Sequence, residues 1–440
     1  MKKNLLKTKL FKATLAVIGL LFSGTIFGQT VTITNGQSVN AGDILLSPNV
    51  IINAGGTLIM NVPRSFNSIS TTGNGTSTIS GTEPATLTTL TVGASNTLSV
   101  APLVSPANLA TATLNNQTAT LAGTGTISAS AITINGASGN ITATLAISAG
   151  LTVQSIDINA GAGNSQTDHN LTVNGILKIS GVLTGLENLN GGANSTVEYT
   201  GGNNQAVYDG NYYNLTLAGT GAKTFSGDRA ITGNFLLENG ASLTLGGNDL
   251  TIDVNGNRTA TINGTLNING NGRLTENGSG TKTLVVGPTG YVAITDAGGI
   301  GLSDLGLDAY NLNATSTVEY GASDNQQITD VASPGYGHLI ISGGGTKTAS
   351  NNLDIQGDVT ISSATFSAGN LTHSLKGNWI KNGGTFTTGT GRISFTGATA
   401  QTIGGSQPTT FYNVTFANTN GGITSGSRSE ERRVGKECRS

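Results

Sequence analysis

From residue 30 onward the chain is built of short apolar alternations at period two, separated by Gly, Asn, Thr and Ser. Val31-Thr32-Ile33, Ile132-Thr133-Ile134, Ile156-Asp157-Ile158 and Leu171-Thr172-Val173 are early examples. Leu243-Thr244-Leu245, Leu250-Thr251-Ile252, Leu266-Asn267-Ile268 and Val359-Thr360-Ile361 continue the pattern. Alternation puts the aliphatic side chains on one face of an extended strand and the polar ones on the other. The β-branched residues favour that conformation further. No window after residue 28 carries a helical period, so an all-β chain is expected.

The corners are equally legible. Thirteen Asn-Gly pairs, among them Asn35-Gly36, Asn174-Gly175, Asn263-Gly264 and Asn382-Gly383, fall between the alternations. Both residue types tolerate positive φ, which tight corners require. Asn-Gly is also the strongest hairpin signal, so a tandem β-sandwich array is the alternative. Strand starts near Phe235, Leu243, Leu250 and Leu266 imply three short strands in roughly 20–25 residues, which favours a β-solenoid. A Cys…Trp…Cys framework of the immunoglobulin kind is missing. One such coil buries too few aliphatics to offset its own ordering entropy, whereas a stack of coils can.

A longer repeat overlies the short one. Ser195-Thr196-Val197-Glu198-Tyr199 returns 121 residues later as Ser316-Thr317-Val318-Glu319-Tyr320, and a degraded copy is Arg392-Ile393-Ser394-Phe395. In each, a glutamine follows the aromatic by six residues: Gln205, Gln326 and Gln401. A strand entered through an aromatic comes next, as Tyr212-Tyr213-Asn214-Leu215, Tyr336-Gly337-His338-Leu339 and Phe411-Tyr412-Asn413-Val414. In the first two copies a Lys-Thr pair lies eight residues after the leucine, at Lys223-Thr224 and Lys347-Thr348.

The two ends differ from the rest. Lys2, Lys3, Lys7, Lys9 and Lys12 precede an apolar run from Ala13 to Phe22 and then small residues. That order marks residues 1–28 as a secretory signal peptide, its apolar core being far shorter than the about 20 residues that span a bilayer. At the other end, 428–440 holds eight charged residues in thirteen and the only cysteine, Cys438. This segment resembles the read-through translation of a short-read sequencing adapter, which implies that the natural chain continues past Ser427. Between the ends, 29–190 forms an N-terminal β-solenoid region and 191–427 a repeat-containing one.

Without those ends, 11 Lys and Arg stand against 20 Asp and Glu. A sparsely charged acidic chain lacks the electrostatic footprint for nucleic acid or for anionic membranes. With Cys438 set aside, neither disulfides nor thiolate metal sites are available.

The boxes, together with Gly377-Asn378-Trp379 and Asn382-Gly383-Gly384-Thr385-Phe386, resemble secreted β-helical, adhesin-like surface proteins exported by the type IX secretion system. The resemblance covers 194–422; residues 29–189 share only the short-strand texture. It implies a right-handed parallel β-helix, a cell-surface or extracellular location, and a C-terminal sorting domain that this sequence does not contain. It carries no catalytic residues over.

A search for chemistry supports a non-enzymatic reading, with no catalytic, cofactor-binding or metal site assigned. The three histidines, His169, His338 and His373, are far apart in sequence. His338 holds the register of Asn214 and Asn413, which makes it structural, and His169 and His373 read as turn residues. Asp228-Arg229 also reads as a turn. Asp296, Asp304, Asp308, Glu319, Asp324 and Asp330 form the densest acidic region, where paired carboxylates would serve a polysaccharide hydrolase and a calcium cluster a lyase. Their spacing is irregular and Glu319 belongs to the repeat, so a solvated loop face is expected. Trp379 is expected to pack rather than stack on a sugar. Thr-x-Thr pairs at Thr86-Leu87-Thr88, Thr111-Ala112-Thr113 and Thr118-Ala119-Thr120 raise ice binding as a minor alternative, which their irregular intervals disfavour. The expected function is a structural or adhesin-like rod meeting extracellular glycans or surface proteins weakly and multivalently. A polysaccharide lyase or hydrolase on the same fold is the alternative. Self-association through a bare solenoid end is a further expectation.

Overall fold

The computed structural model describes residues 30–425 apart from short internal stretches, the longest of which are 101–108 and 161–168. Residues 1–29, which include the expected signal peptide, and the 428–440 tail lie outside the described residues.

Every strand pair among the described residues is parallel, so the tandem-sandwich alternative is overturned in favour of a β-solenoid. The Asn-Gly pairs therefore make no hairpins; most turn corners between faces of a coil, while Asn135-Gly136 and Asn190-Gly191 end strands. Gly36, Gly240, Gly256, Gly270 and Gly278, each the second residue of such a pair, adopt positive φ. The only helices among the described residues are two short 3-10 turns, Ala41–Asp43 and Leu302–Leu305. None is long and apolar enough to cross a membrane.

In the N-terminal part the chain alternates between two sheets. A 15-stranded sheet starts at Thr30–Ile33 and an 8-stranded sheet runs from Ser38–Asn40 to Asn188–Gly191. The change to a three-sided coil is visible at the strand Leu151–Ala160. Its first half pairs with Ile176–Ile179 and its second half with the separate strand Leu183–Thr184. From Gln205–Val207 onward an 11-stranded sheet forms a new face, and it continues to Ile423–Ser425. Smaller sheets of three, four and four strands complete the later coils.

Coil length varies while register holds. Eighteen residues separate Thr196 from its partner Asn214, and 26 separate Leu151 from Leu177. Corners absorb the difference, because strands must meet rung to rung at about 4.8 Å whatever the loop length. Among the described residues the interior is lined by buried aliphatics, including Val50, Ile69, Leu90, Leu177, Val197, Leu215, Leu243, Leu266, Val292, Val318, Leu339 and Val359. Each fully buried Leu, Ile or Val contributes about 1.5–3 kcal/mol.

Glycine is required where coils touch. A Cβ on Gly221 would lie 1.8 Å from the Asn203 carbonyl oxygen of the preceding coil, and one on Gly264 would lie 2.2 Å from that of Ala241.

Candidate functional site

The recurring residues of the long repeat converge on one arrangement between neighbouring coils. Gln205 is buried; its Oε1 accepts from the Gly201 amide, and its Nε2 donates to the Ile179 and Gly181 carbonyls. Gln326 does the same with Ala322, Ile294 and Ile300. Gln401 repeats it with Gly397, Leu375 and Gly377. Each glutamine bonds one amide and two carbonyls at a corner, and the Ile179, Ile294 and Leu375 carbonyls also take a backbone amide from the adjacent coil.

The lysines lie directly above. Lys223 pairs with Gln205, and Lys347 pairs with Gln326. Both are fully buried. Lys223 Nζ donates to the Gly201 carbonyl at 2.7 Å, and Lys347 Nζ to those of Ala322 and Asp324 at 2.7 and 2.8 Å. Burial drives both ammonium groups below their ordinary range, Lys347 to about 8. In the third copy Ile423 holds the paired position. There the Asn418 amide donates to Thr399 and to Gln401 Oε1.

The box aromatics form a second linked pair. Tyr208 N–H donates to the Tyr199 hydroxyl, Tyr199 donates to Tyr212 at 2.8 Å, and Tyr212 donates to the Tyr208 carbonyl. Tyr320 and Tyr336 reproduce the circuit around Thr329. Phe395 and Phe411 keep the edge-to-face packing, at 6.1 Å, without hydroxyls. Burial raises the phenols, Tyr199 to about 12. The box changes face from copy to copy. Thr196–Tyr199 belongs to the 15-stranded sheet, Thr317–Tyr320 to the 11-stranded sheet and Arg392–Phe395 to a four-stranded one. It closes a coil and does not mark one outer surface.

The histidines are not brought together. His338 Nδ1 accepts from the Asp358 amide at 3.0 Å, the role that Asn214 Oδ1 plays for Asn234 in the sister repeat. His373 is a core residue in the strand Thr372–Leu375, which corrects its placement in a turn. Its Nδ1 accepts from Leu353 N–H and its Nε2 donates to the Ala368 carbonyl; burial lowers its pKa and keeps it neutral. The backbone of His169 opens the strand His169–Val173, and its side chain lies outside the described residues.

Most acidic residues are engaged locally. Asp296 is buried, takes the Asn271 amide and pairs with Arg273 at 3.1 Å. Asp304 caps the 3-10 turn at Gly301, Asp308 accepts from the Lys282 amide, and Asp330 accepts from Asn351. Glu319 receives the hydroxyls of Tyr291 and Ser342. The solvated-face expectation fails for Asp296, which is sealed against Asn271 and Arg273 of the preceding coil. No three carboxylate, imidazole or thiol groups gather as a metal cradle among the described residues.

Arg229 corrects a second turn assignment. It opens the strand Arg229–Ile231, is buried, and reaches Asp209 at 3.0 Å and the carbonyls of Gly227 and Asp228. Trp379 packs at 4.6 Å from Phe386 and 5.1 Å from Phe411, with Nε1 donating to Thr409. It is buried and unavailable for sugar stacking.

The Thr-x-Thr pairs meet a different outcome. Thr111 and Thr113 stand in register with Thr89 and Thr91, each 22 residues earlier, so the irregular spacing of the Thr-x-Thr pairs does not by itself exclude a hydroxyl column. The column breaks at Ala131 and at Ile51. Thr118 and the side chains of Thr86, Thr88, Thr111 and Thr113 lie outside the described residues. Where outward hydroxyls are described they join coils, as in Ser68 to Asn49 and Thr72 to Asn53, both 2.8 Å.

The class defined by this geometry is a parallel β-solenoid repeat protein. In comparisons with protein-family models, curated proteins and solved structures, nothing matches the chain.

Proposed function

We propose that this chain is an exported rod that acts at the cell surface or outside the cell, holding weak binding contacts in a repeated array, and that it is not an enzyme. The observation that carries this reading is the use of polar side chains. The box glutamines, lysines and tyrosines, together with His373, Asp296 and Arg229, bond backbone or neighbours between coils and within corners. A stack of this kind offers length and repetition, and weak contacts along it gain strength through multivalency. The secretory character of residues 1–28 supports export, and the resemblance of 194–422 to type IX secretion cargo supports an adhesive role toward glycans or surface proteins. A polysaccharide lyase or hydrolase would need acidic and basic groups converging on an open face of adjacent coils; Lys178–Glu198 at 2.8 Å is an isolated pair without a third partner of that kind.

The test is binding as a function of density. Chain coupled densely to beads should retain polysaccharide-coated surfaces, while the same chain free in solution binds them weakly. Release of new reducing ends or unsaturated sugars from a polysaccharide panel would overturn the non-enzymatic reading. Failure of dense beads to retain any coated surface would overturn the adhesive one.

A further inference from the structure

The corner after the strand Leu274–Asn277 treats its Asn-Gly pair differently from several sister pairs, which are bonded into neighbouring coils. The Gly36 amide donates to the Gly55 carbonyl and the Gly264 amide to that of Leu237. Gly256 donates to the Ser279 carbonyl, while Asn255 Oδ1 accepts from the Ser279 amide. Gly383 donates to Ile361, and Asn382 Oδ1 accepts from the Ser406 amide. At Asn277 the Gly278 amide donates instead to the side chain of Asn277 itself, at 2.9 Å from Oδ1. The strand that ends there is the edge of the three-stranded sheet, and among the described residues it pairs only with Leu250–Asp253. Residues 277–280 are all exposed, and Gly278 adopts a φ of 92°.

In an Asn-Gly pair the backbone amide reaches the preceding carboxamide easily, because glycine sets no Cβ in the path. We propose that Asn277-Gly278 is a site of spontaneous covalent modification in the folded chain, passing through a cyclic imide. The Gly278 nitrogen attacks Asn277 Cγ. A C–N bond forms, the Gly278 amide proton is given up, and the side-chain nitrogen leaves as ammonia. Water then adds to one of the two imide carbonyls and a C–N bond breaks, leaving aspartate or isoaspartate. Water is the sole co-reactant. The contact to Oδ1 holds the two reacting groups together, which removes part of the orientational cost of closing the ring. At the tied pairs the same ring closes only after a bond to another coil has broken. The product sets a carboxylate on the corner whose Ser279 and Gly280 carbonyls receive the buried Lys282 Nζ. This inference is independent of the proposed function.

The test incubates the full chain at mildly alkaline pH, both folded and in guanidinium, and then digests it with trypsin. Cleavage after Arg273 and Lys282 releases residues 274–282, in which Asn277 is the single asparagine. Mass spectrometry reads the amide-to-acid gain, and fragmentation assigns it to a residue. In the folded chain, conversion at Asn277 should run at least about tenfold faster than at Asn255, Asn263 and Asn382. In guanidinium the four rates should converge, because the bonds to neighbouring coils are gone. Asn277→Gln, whose ring would need six members, should remove the gain from that peptide. Equal rates in the folded chain, an Asn277 that stays intact, or a preference that persists after unfolding would overturn the proposal.

Discussion

Lys347 and Gln326 sit on adjacent coils as direct register partners, and both side chains end on the same short corner. Gln326 accepts from the Ala322 amide while Lys347 donates to the Ala322 carbonyl. One residue thus has both its backbone groups satisfied by two side chains from different rungs. An apolar residue in place of Gln326 would leave the Ala322 amide unpaired, whereas the Ala322 carbonyl also accepts the Gly344 amide.

Gln326→Leu removes three buried hydrogen bonds and strands the Ala322 amide and the Ile300 carbonyl, while the Ile294 carbonyl keeps the Gly321 amide. The expected loss is about 3 kcal/mol or more, since each orphaned buried group costs about 1–3 kcal/mol. Guanidinium unfolding of the two proteins measures it, and a change below about 1 kcal/mol would show that the corner is not held this way.

The two histidines should respond in opposite ways. His338→Asn restores the sister-repeat acceptor and is expected to change stability by less than about 0.5 kcal/mol. His373→Ala strands Leu353 N–H and the Ala368 carbonyl and opens a cavity beside Phe366, 6.2 Å away. A loss of about 2–4 kcal/mol is expected. Equal losses in the two variants would contradict the assignment.

Alkaline stability should pass through a maximum. The folded pKa of Lys347 is lowered to about 8 from 10.5, so between those values the unfolded chain binds the extra proton and stability rises with pH. Tyr199 is raised from 10.0 to about 12, so above pH 10 the unfolded chain loses protons first and stability falls. Thermal melts across pH 7 to 12 should therefore peak near pH 10. His373 adds an acid-side term. Its folded pKa lies below 6.5, so stability declines as pH drops through that value. Lys347→Met should flatten the rise between pH 8 and 10.5 while leaving the fall above it.

The strands were legible because period two is imposed by the pleat itself, and Leu243-Thr244-Leu245 could hardly be anything else. The repeat was legible too, down to the positions of Gln205 and Lys223. What those residues do was not, because a buried lysine on a backbone carbonyl and a solvated one look alike in sequence. His373 and Arg229 were misplaced for a related reason. Polar residues flank them in the chain, but the neighbours that bury them come from rungs about 20 residues away. The change from two-sided to three-sided coils depends on where the strand Leu151–Ala160 splits its pairing, a property of two rungs at once.

The stacking of rungs is tested most directly by pulsed dipolar spectroscopy along one register column. Thr224, Thr244, Asn267, Ala293, Glu319, Ile340 and Thr360 follow one another rung by rung in the 11-stranded sheet. Spin labels at Thr360 paired with Thr224, Thr244 or Asn267 should give backbone separations of about 29, 24 and 19 Å, one rung of about 4.8 Å at each step. Distances that fail to shorten by a constant step, or that scatter as they would between separate globular units, would contradict the solenoid.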